Sequence, residues 1–261
     1  MSEPLFISSR DNPLIKALKK LGSDSTEYRK QQRIWVEGDH LLRAAVVRGV
    51  RPALGVFSES FWPVAKVQSS QEAIKNIVLT DALFDSITAL ESPARMGFVF
   101  DLPVEVPFQP GQASVVLDRL QDAGNVGAIL RSASAFGFSQ VIAMRGTAAL
   151  WSPKVLRAGM GAHWGLALLE GADLSLLDNL ALPLMVTSSH RGDYLHRLLS
   201  RRELAMPCVW AFGTEGQGIS PELESRATVR VRIAQPGGEE SLNVATAAAI
   251  CLHACATAAL A

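Results

Sequence analysis

The feature that most constrains the fold is a regular alternation of short apolar runs with helical patterns after residue 113. Five runs have the length and apolar character of buried strands: Ser114–Asp118, Gln140–Met144, Leu184–Ser188, Cys208–Gly213 and Val229–Ile233. Five segments between and after them have helical patterns: Val126–Phe136, Lys154–Met160, Leu174–Leu180, Tyr194–Leu199 and Asn243–Leu260. Apolar strands that alternate with helices predict an α/β fold whose parallel sheet is covered on both faces.

A linker is predicted at residues 102–112, because three prolines and a glycine in this run exclude a helix or a central strand. It separates a first domain, residues 1–101, from a second domain, residues 113–261. The first domain is also predicted to be α/β. Its strand-like runs are Arg33–Glu37, Leu54–Phe57, Ile77–Leu79 and Met96–Phe100. Its helical patterns are Asn12–Leu21, Asp39–Arg48 and a segment that runs to about Ala89, for which Asp81 is the predicted cap.

Charge is balanced overall but uneven along the chain. The sequence has 25 basic and 25 acidic residues, so the total does not indicate a nucleic-acid partner. Residues 10–48, however, carry nine basic and five acidic residues. Two interpretations stay open: an ordinary solvated face, or a basic face that binds a polyanion. For the second, the candidate RNA-binding residues are Arg10, Lys16, Lys19, Lys20 and Arg29.

Composition excludes several other classes of protein. Three cysteines cannot form a disulfide framework, and the first residues lack the pattern of a secretory signal, so we expect a cytoplasmic protein. Residues 241–261 hold no charged side chain, but nine of them are alanine, which predicts a buried C-terminal helix and no membrane span. We predict no metal site, because the five histidines have no ligand spacing: His40, His163, His190, His196 and His253.

The loop after the first strand of the second domain is the first of three candidate ligand loops. In such sheets ligands bind at the carboxyl ends of the strands, so the loops at these ends are the first candidates. Asn125 is the predicted cap of the following helix, and Arg131 lies six residues further on among alanines. A buried arginine needs an anionic or polar partner. A structural ion pair and a functional role both satisfy that need.

The other two candidate loops lie further along the chain. The run from Trp210 to Pro221 contains three glycines, which suit either close approach to a ligand or an ordinary turn, and it lacks dinucleotide or P-loop spacing. Glu215 within it disfavours phosphate binding. In the third loop a Pro-Gly-Gly turn precedes the last helix, for which Ser241 is the predicted cap, with Asn243 in the first turn.

Together the three loops resemble the motifs of the TrmH/SpoU family of the SPOUT superfamily, which comprises S-adenosylmethionine-dependent RNA ribose 2′-O-methyltransferases. The matching motifs are residues 125–131, 213–216 and 233–244, and Ser152–Ala162 is also similar to the family. Residues 5–101 resemble the L30e-like substrate-binding domain of many members. The sequence departs from the family at Ala234-Gln235, where Pro-Met is usual, and at Glu239, where a small or apolar residue is common.

The resemblance implies a fold, a cofactor and a site. The fold would contain a deep trefoil knot, and the protein would be a homodimer with its active site at the subunit interface. S-adenosylmethionine would bind at Gly213, Ile233, Leu242, Thr187 and Gly216. Arg131 would be the central catalytic residue, as general base or as a cation that stabilises the developing alkoxide; guanidinium groups keep their protons in proteins, which favours the second role. Asn125, Ser241 and Asn243 would position Arg131 and the RNA, and Glu215 would hold its loop.

Alternatives remain at the level of substrate and activity. The L30e-like domain favours ribosomal RNA over transfer RNA. A non-catalytic RNA-binding or ribosome-associated protein of the same fold is a further alternative, although such a protein has no need for the complete polar set. Methylation of a base on the same fold ranks lower, because the motifs match the ribose-modifying group. No metal is implied, since the sulfonium methyl group is already activated.

Overall fold

The computed structural model describes residues 3–104, 106–188, 190–204, 206–238 and 241–258. The chain divides into two units. The first unit consists of the described residues up to Val104 together with Trp151–Trp164, and the second unit holds the rest. The predicted domain limits put residues 151–164 in the second domain, whereas in the structure the helix in this segment packs against strand Arg33–Glu37 of the first unit.

The strands are numbered in chain order. The first unit contains β1 (Leu5–Ile7), β2 (Arg33–Glu37), β3 (Leu54–Ser58), β4 (Lys75–Leu79) and β5 (Met96–Asp101). The second unit contains β6 (Ser114–Leu117), β7 (Gln140–Met144), β8 (Ala167–Ala172), β9 (Leu184–Thr187), β10 (Asp193–Tyr194), β11 (Val209–Phe212) and β12 (Val229–Arg232).

The α-helices are numbered in the same way. The first unit has α1 (Pro13–Ser23), α2 (Glu27–Gln31), α3 (Asp39–Val46), α4 (Trp62–Gln68) and α5 (Asp81–Ile87), and α7 (Pro153–Gly159) joins it from later in the chain. The second unit has α6 (Ala123–Ala135), α8 (Leu195–Ser200), α9 (Pro221–Glu224) and α10 (Val244–Ala258). Short 3₁₀ helices occupy Ala162–Gly165 and Leu174–Asn179. The second of these replaces the helix predicted at Leu174–Leu180.

The first unit is built on a five-stranded mixed sheet with the order β1-β4-β3-β5-β2, in which β5 runs antiparallel to β3 and β2. Helix α1 begins where Asn12 accepts a hydrogen bond from the Leu14 N–H at 2.9 Å and Pro13 takes the first position. Helix α5 is capped by Thr80, whose hydroxyl accepts from the Leu83 N–H. The predicted cap Asp81 was therefore wrong by one residue, because neighbouring Thr and Asp both have cap chemistry.

The second unit confirms the predicted parallel sheet. All seven strands pair in parallel, in the order β10-β12-β9-β11-β6-β7-β8. The core between this sheet and its covering segments is apolar and includes Val116, Ile142, Leu169, Val186 and Ala211. The carboxyl ends of β6, β9, β11 and β12 lie side by side, and the three candidate loops leave the sheet from these ends. The trefoil knot stays a prediction.

Helix α10 packs against α6 through small side chains. Ala248, Cys251 and Cys255 are buried, and burial raises the pKa of the Cys251 thiol. The prediction of a buried helix holds for the face with Ala248, Cys251 and Cys255 and is wrong for the opposite face, where Thr246, Ile250, His253 and Thr257 are exposed. The last residues of the predicted helix, from residue 259, lie outside the described residues. In the part of the chain that the structure describes, no helix is long and apolar enough to span a membrane.

Candidate active site

Three side chains from the three candidate loops meet in one hydrogen-bonded group, which we call the polar cluster: Asn125, Glu215 and Asn243. The Glu215 Oε1 atom accepts from the Asn125 Nδ2 at 2.7 Å and from the Asn243 Nδ2 at 3.0 Å. The Asn243 Nδ2 also donates to the Asn125 Oδ1 at 2.9 Å. Each side chain thus holds the other two in place, although Glu215 lies 90 positions and Asn243 lies 118 positions after Asn125 along the chain.

The way in which the two helices are capped leaves the amide nitrogens of Asn125 and Asn243 available to the cluster. Helix α6 is capped by Asp122, whose carboxylate accepts from the Asn125 N–H at 2.7 Å, so the prediction that Asn125 is the cap was wrong. Asn125 lies in the first turn, and its side chain is available to the cluster. At α10 the Oδ1 of Asn243 accepts from the N–H groups of Ala245 and Thr246 at 2.9 and 3.2 Å. Asn243 caps this helix and uses its amide nitrogen in the cluster.

Ser241 therefore does not have the predicted role of cap. It is exposed, three positions before the first residue of α10. Cap chemistry alone could not choose between Ser241 and Asn243, because both residue types accept from backbone N–H groups. Asn243 takes the cap position and at the same time reaches Asn125 of α6. Glu239, the other departure from the family pattern in this loop, lies outside the described residues.

A tight glycine loop presents Glu215. Thr214 and Gly218 exchange backbone hydrogen bonds of 3.1 and 2.8 Å. A Cβ atom on Gly213 would lie 2.0 Å from the Gly218 carbonyl oxygen, a distance that no side chain allows. Gly218 adopts φ +67°, the left-handed region that favours glycine. Gly213 is thus required by the closeness of the turn and Gly218 is favoured by its backbone conformation, whereas a Cβ on Gly216 would meet no neighbouring atom within 4 Å.

A pocket opens beside the polar cluster, at the carboxyl ends of β9, β11 and β12. Its cavity volume is about 130 Å³. Four of the predicted cofactor residues line it together with Glu215 and Ser241: Thr187, Gly213, Ile233 and Leu242. The fifth, Gly216, lines an adjoining polar cavity of about 430 Å³, which shares part of its wall with the first. That these residues bind a cofactor remains a prediction.

The pocket wall combines apolar groups with one unsatisfied acceptor. Ile219, Val244 and Ala247 contribute apolar surface beyond the predicted residues. The Oε1 atom of Gln235 is buried here and has no hydrogen-bond partner among the described residues. A buried acceptor without a partner is costly, so it suits a ligand that brings an N–H donor. In the sequence Gln235 stands out only as a departure from the family pattern. Val244 appears there only as the last residue of the third motif, and Ile219 and Ala247 carry no signal.

Arg131 stands apart from the polar cluster. It is exposed on α6, and its side chain forms no hydrogen bond or ion pair within the described part of the chain. The expectation of a buried arginine with a partner was therefore wrong for the single chain. Six residues of helix separate Asn125 from Arg131, which turns the side chains about 120° apart and moves them about 9 Å along the axis. The helix that delivers one residue to the cluster thus directs the other elsewhere.

The predicted RNA-binding residues all lie in the first unit and all are exposed: Arg10, Lys16, Lys19, Lys20 and Arg29. Lys16 forms an exposed ion pair with Asp11 at 3.2 Å. The guanidinium of Arg29 lies 5.2 Å from the ring centre of Tyr28. Exposure is compatible with both interpretations of this basic segment. Among the described residues, no three His, Cys, Asp or Glu side chains lie close enough together to hold a metal ion.

Comparison with known proteins places the chain among RNA-modifying enzymes. The SpoU rRNA Methylase family matches residues 112–253. An uncharacterized tRNA/rRNA methyltransferase of Synechocystis sp. is 31% identical over 97% of this chain and 93% of its own length. The 23S rRNA (guanosine(2553)-2′-O)-methyltransferase RlmP of Bacillus subtilis is 27% identical over 95% of this chain and 97% of its own. Among solved structures, a putative RNA methyltransferase of the TrmH family from Porphyromonas gingivalis is similar with a TM-score of 0.77, 29% identity and coverage of 94% and 97%.

Proposed function

This chain belongs to the SpoU rRNA methylase family, and from that premise we propose that it methylates a ribose 2′-hydroxyl of ribosomal RNA with S-adenosylmethionine as methyl donor. The relative from Bacillus subtilis, which aligns along nearly the whole chain, is named for this reaction on 23S rRNA. Transfer RNA is the less favoured substrate. Ribosomal RNA as substrate also supports a location in the cytoplasm.

The observation that carries the proposal is the polar cluster at the wall of the pocket. Glu215 belongs both to the cluster and to the pocket lining, so the groups that hold the loops also border the ligand space. A protein that only binds RNA has no need to join three distant loops around a pocket. An enzyme has this need, because transfer of a group between two bound molecules requires both to be held in the correct relative orientation.

The residues of the pocket fit the proposed methyl donor. When bound, S-adenosylmethionine supplies a methyl group on a positively charged sulfur. Ile233, Leu242 and Val244 offer apolar contact, and the unpartnered Gln235 Oε1 offers an acceptor for an amino group such as that of adenine. The close turn at Gly213 leaves backbone groups at the wall. We assign Thr187 and Gly216 to the same role at the edges of the pocket.

Arg131 is the proposed catalytic cation. A 2′-hydroxyl that attacks a methyl group develops negative charge on its oxygen, and a nearby guanidinium stabilises that charge. Arginine keeps its proton in proteins, so electrostatic stabilisation explains its presence better than proton abstraction. Asn125, Ser241 and Asn243 then orient the RNA and Arg131. Glu215 holds the glycine loop against both asparagines.

The exposed position of Arg131 supports a homodimer. Within the described part of one chain the residue has no partner and projects away from the polar cluster. The exposed face of α10, formed by Thr246, Ile250, His253 and Thr257, lies on the helix that packs against α6. Phe136, at the end of α6, contacts His253 edge to face with ring centres 5.3 Å apart. A second copy that covers this face would bring its own arginine to the cluster, and the active site would form at the interface.

The first unit is the proposed substrate-binding domain. Its exposed cations at 10, 16, 19, 20 and 29 would contact RNA phosphates, as in other proteins that bind structured RNA through basic surfaces. The predicted domain limits of 1–101 and 113–261 assign substrate binding and methyl transfer to separate parts of the chain. Helix α7, which joins the first unit in the structure, falls in the second domain by these limits.

The test is to map ribose methylation in ribosomal RNA with and without the protein. Deletion of the gene should remove one 2′-O-methyl mark, and the purified protein with labelled S-adenosylmethionine should restore it on rRNA from the deletion strain. Transfer RNA from the same strain is the parallel substrate. Binding of S-adenosylmethionine by calorimetry separates an enzyme from a non-catalytic RNA-binding protein. Absence of both binding and methyl transfer would refute the proposal.

A further inference from the structure

The edge of the second sheet, at β10 and β12, carries several arginines that fall into two groups. Three of them are neutralised by carboxylates: Arg226 pairs with Asp178 at 3.0 Å, Arg230 with Glu224 at 3.1 Å, and Arg201 with Asp193. Other arginines have no carboxylate partner within the described residues, among them Arg191, Arg197 and Arg232. These require an explanation, because Asp178, Asp193 and Glu224, the described carboxylates that pair at this edge, are engaged by the first group.

An aromatic ring gathers two of these cations. Strands β10 and β12 pair in parallel with Tyr194 opposite Arg232, and the Arg232 guanidinium lies 4.6 Å from the ring centre of Tyr194. Helix α8 starts immediately after Tyr194, so Arg197 returns to the same ring within one turn, at 5.2 Å. A cation–π contact orients a guanidinium without neutralising its charge, and its N–H donors stay available.

The third cation is placed by a glycine. Gly192 adopts φ +101°, and a Cβ atom there would lie 2.2 Å from the Arg230 carbonyl oxygen. Only glycine therefore lets this loop lie against β12. Arg191, the residue before it, lines the polar cavity of about 430 Å³. That cavity shares Thr187, Ser188 and Glu215 with the pocket proposed for the methyl donor.

We propose that Arg191, Arg197 and Arg232 bind the phosphates of the RNA strand that carries the nucleotide to be methylated. The proposal rests on the proposed function and extends it to residues outside the family motifs. Planar guanidinium groups match phosphate oxygens in pairs. Arg191 is the one of the three that lines the polar cavity, and Glu215 lines the same cavity, so we place the phosphates on the side of Arg191 and of the cations held by Tyr194 and not beside Glu215. These arginines would position the strand at the edge of the active site, in addition to any cation of the first unit that binds the same RNA.

The experiment compares RNA binding by Arg197→Ala, Arg232→Ala and the double variant over a range of KCl concentrations, with unmodified 23S rRNA transcript as the probe. Each arginine removed should weaken binding roughly threefold to fivefold near 0.15 M salt and reduce the slope of log K against log salt by about 0.7. Arg226→Ala is the matched control, because that arginine is paired with Asp178. It should leave affinity and slope unchanged.

Two Tyr194 variants test the role of the ring. Tyr194→Phe keeps the cation–π platform and should bind RNA like the wild type, whereas Tyr194→Leu should weaken binding in the same direction as the arginine variants. Calorimetric binding of S-adenosylmethionine should be unchanged in all of them, which also reports an intact fold. The binding measurement needs no turnover, so its outcome is separate from that of the methylation assay.

Wild-type slope and affinity in the double variant would overturn this inference, even if the protein methylates ribosomal RNA. A weaker affinity with an unchanged slope would also overturn it, because these arginines would then not be neutralising phosphates. Absence of both S-adenosylmethionine binding and methyl transfer in the wild-type protein would refute the proposed function, and the salt slopes would then report only whether these arginines bind RNA phosphates.

Discussion

Helix α6 contributes Asn125 to the polar cluster and carries Arg131 on an exposed face, and these two regions differ in one respect. In the cluster every side chain has a protein partner, and Glu215 accepts from two amides at once. Arg131 has none within the described chain. Groups that satisfy one another hold a structure in place, whereas an unsatisfied cation is available to a ligand or a second copy. We therefore expect changes in the cluster to lower stability together with activity, and changes at Arg131 to lower activity alone.

The largest effect is expected for Arg131→Ala. Loss of a charge that stabilises the developing alkoxide should lower methyl transfer by about a thousandfold. The free energy of unfolding should change by less than about 0.5 kcal/mol, because the side chain is exposed and unpartnered. Methyl incorporation into rRNA and chemical denaturation measure the two quantities, with Arg226→Ala as the control. Full activity in Arg131→Ala would contradict the catalytic role that this comparison assigns to Arg131.

A substitution in the glycine loop should lower stability, in contrast to the substitution of Arg131. Gly213→Ala inserts a Cβ 2.0 Å from the Gly218 carbonyl oxygen, so we expect a loss of about 3 kcal/mol of stability and of S-adenosylmethionine binding. The matched control is Gly216→Ala, where a Cβ meets no atom within 4 Å. Its stability should stay within about 0.5 kcal/mol of the wild type. Equal melting temperatures for the two variants would contradict the close turn.

Removal of Glu215, the acceptor that the two amides share, should have an intermediate effect on stability. Glu215→Ala leaves the amides of Asn125 and Asn243 without their common partner, at a cost of about 1 kcal/mol in this exposed setting. Methyl transfer should fall by more than the decrease in stability explains, since the loop is no longer held at the pocket wall. Glu222→Ala, an exposed glutamate on α9, is the control. A stability loss without an activity loss would show that the cluster serves structure alone.

Ser241 and Asn243 are equally good cap candidates by sequence, and the structure distinguishes them at the start of α10. Asn243→Ala removes the side chain that accepts from Ala245 and Thr246, so thermal denaturation should show a loss of about 1 kcal/mol. Ser241→Ala should leave the unfolding free energy unchanged. The reverse order of stabilities would mean that Ser241 caps the helix after all.

The smallest effect is expected in the first unit. The double variant Lys19→Ala, Lys20→Ala removes two exposed cations from α1 and should reduce the salt slope of rRNA binding by about 0.7 for each phosphate that these lysines neutralise. Lys66→Ala, an exposed lysine on α4 outside the basic segment, is the control. Equal slopes in both proteins would favour an ordinary solvated face for residues 10–48.

The strands of the second unit were the part most accessible from the sequence. Each predicted strand in this unit corresponds to a strand of the structure, because an uninterrupted apolar run flanked by turn residues has few other ways to be buried. The short strands β1 and β10 were missed, and so was β8. Tyr194 belonged to a predicted helix, and it lies in β10 because its pairing with Arg232 depends on a neighbour distant in the chain.

The helix caps and the burial of Arg131 were harder to predict from the sequence, because they too depend on contacts beyond the local sequence. Asp122 and Asn125, like Ser241 and Asn243, offer the same cap chemistry within three residues, and the structure shows Asp122 and Asn243 in the cap role. Arg131 among alanines suggested burial, but one face of α6 is left open. Residues 151–164 follow a motif of the second domain in sequence, yet α7 packs with the first unit.

By itself the sequence determined the α/β class, the parallel sheet and the family, since apolar periodicity and short motifs are local properties that survive without knowledge of the partners. Only the tertiary structure decided which side chains satisfy one another and which are left without a partner. Hydrogen bonds between residues about 100 positions apart depend on how the elements pack, and no local pattern records that packing. The difference between Glu215, shared by two amides, and Arg131, exposed on α6, is of this second kind.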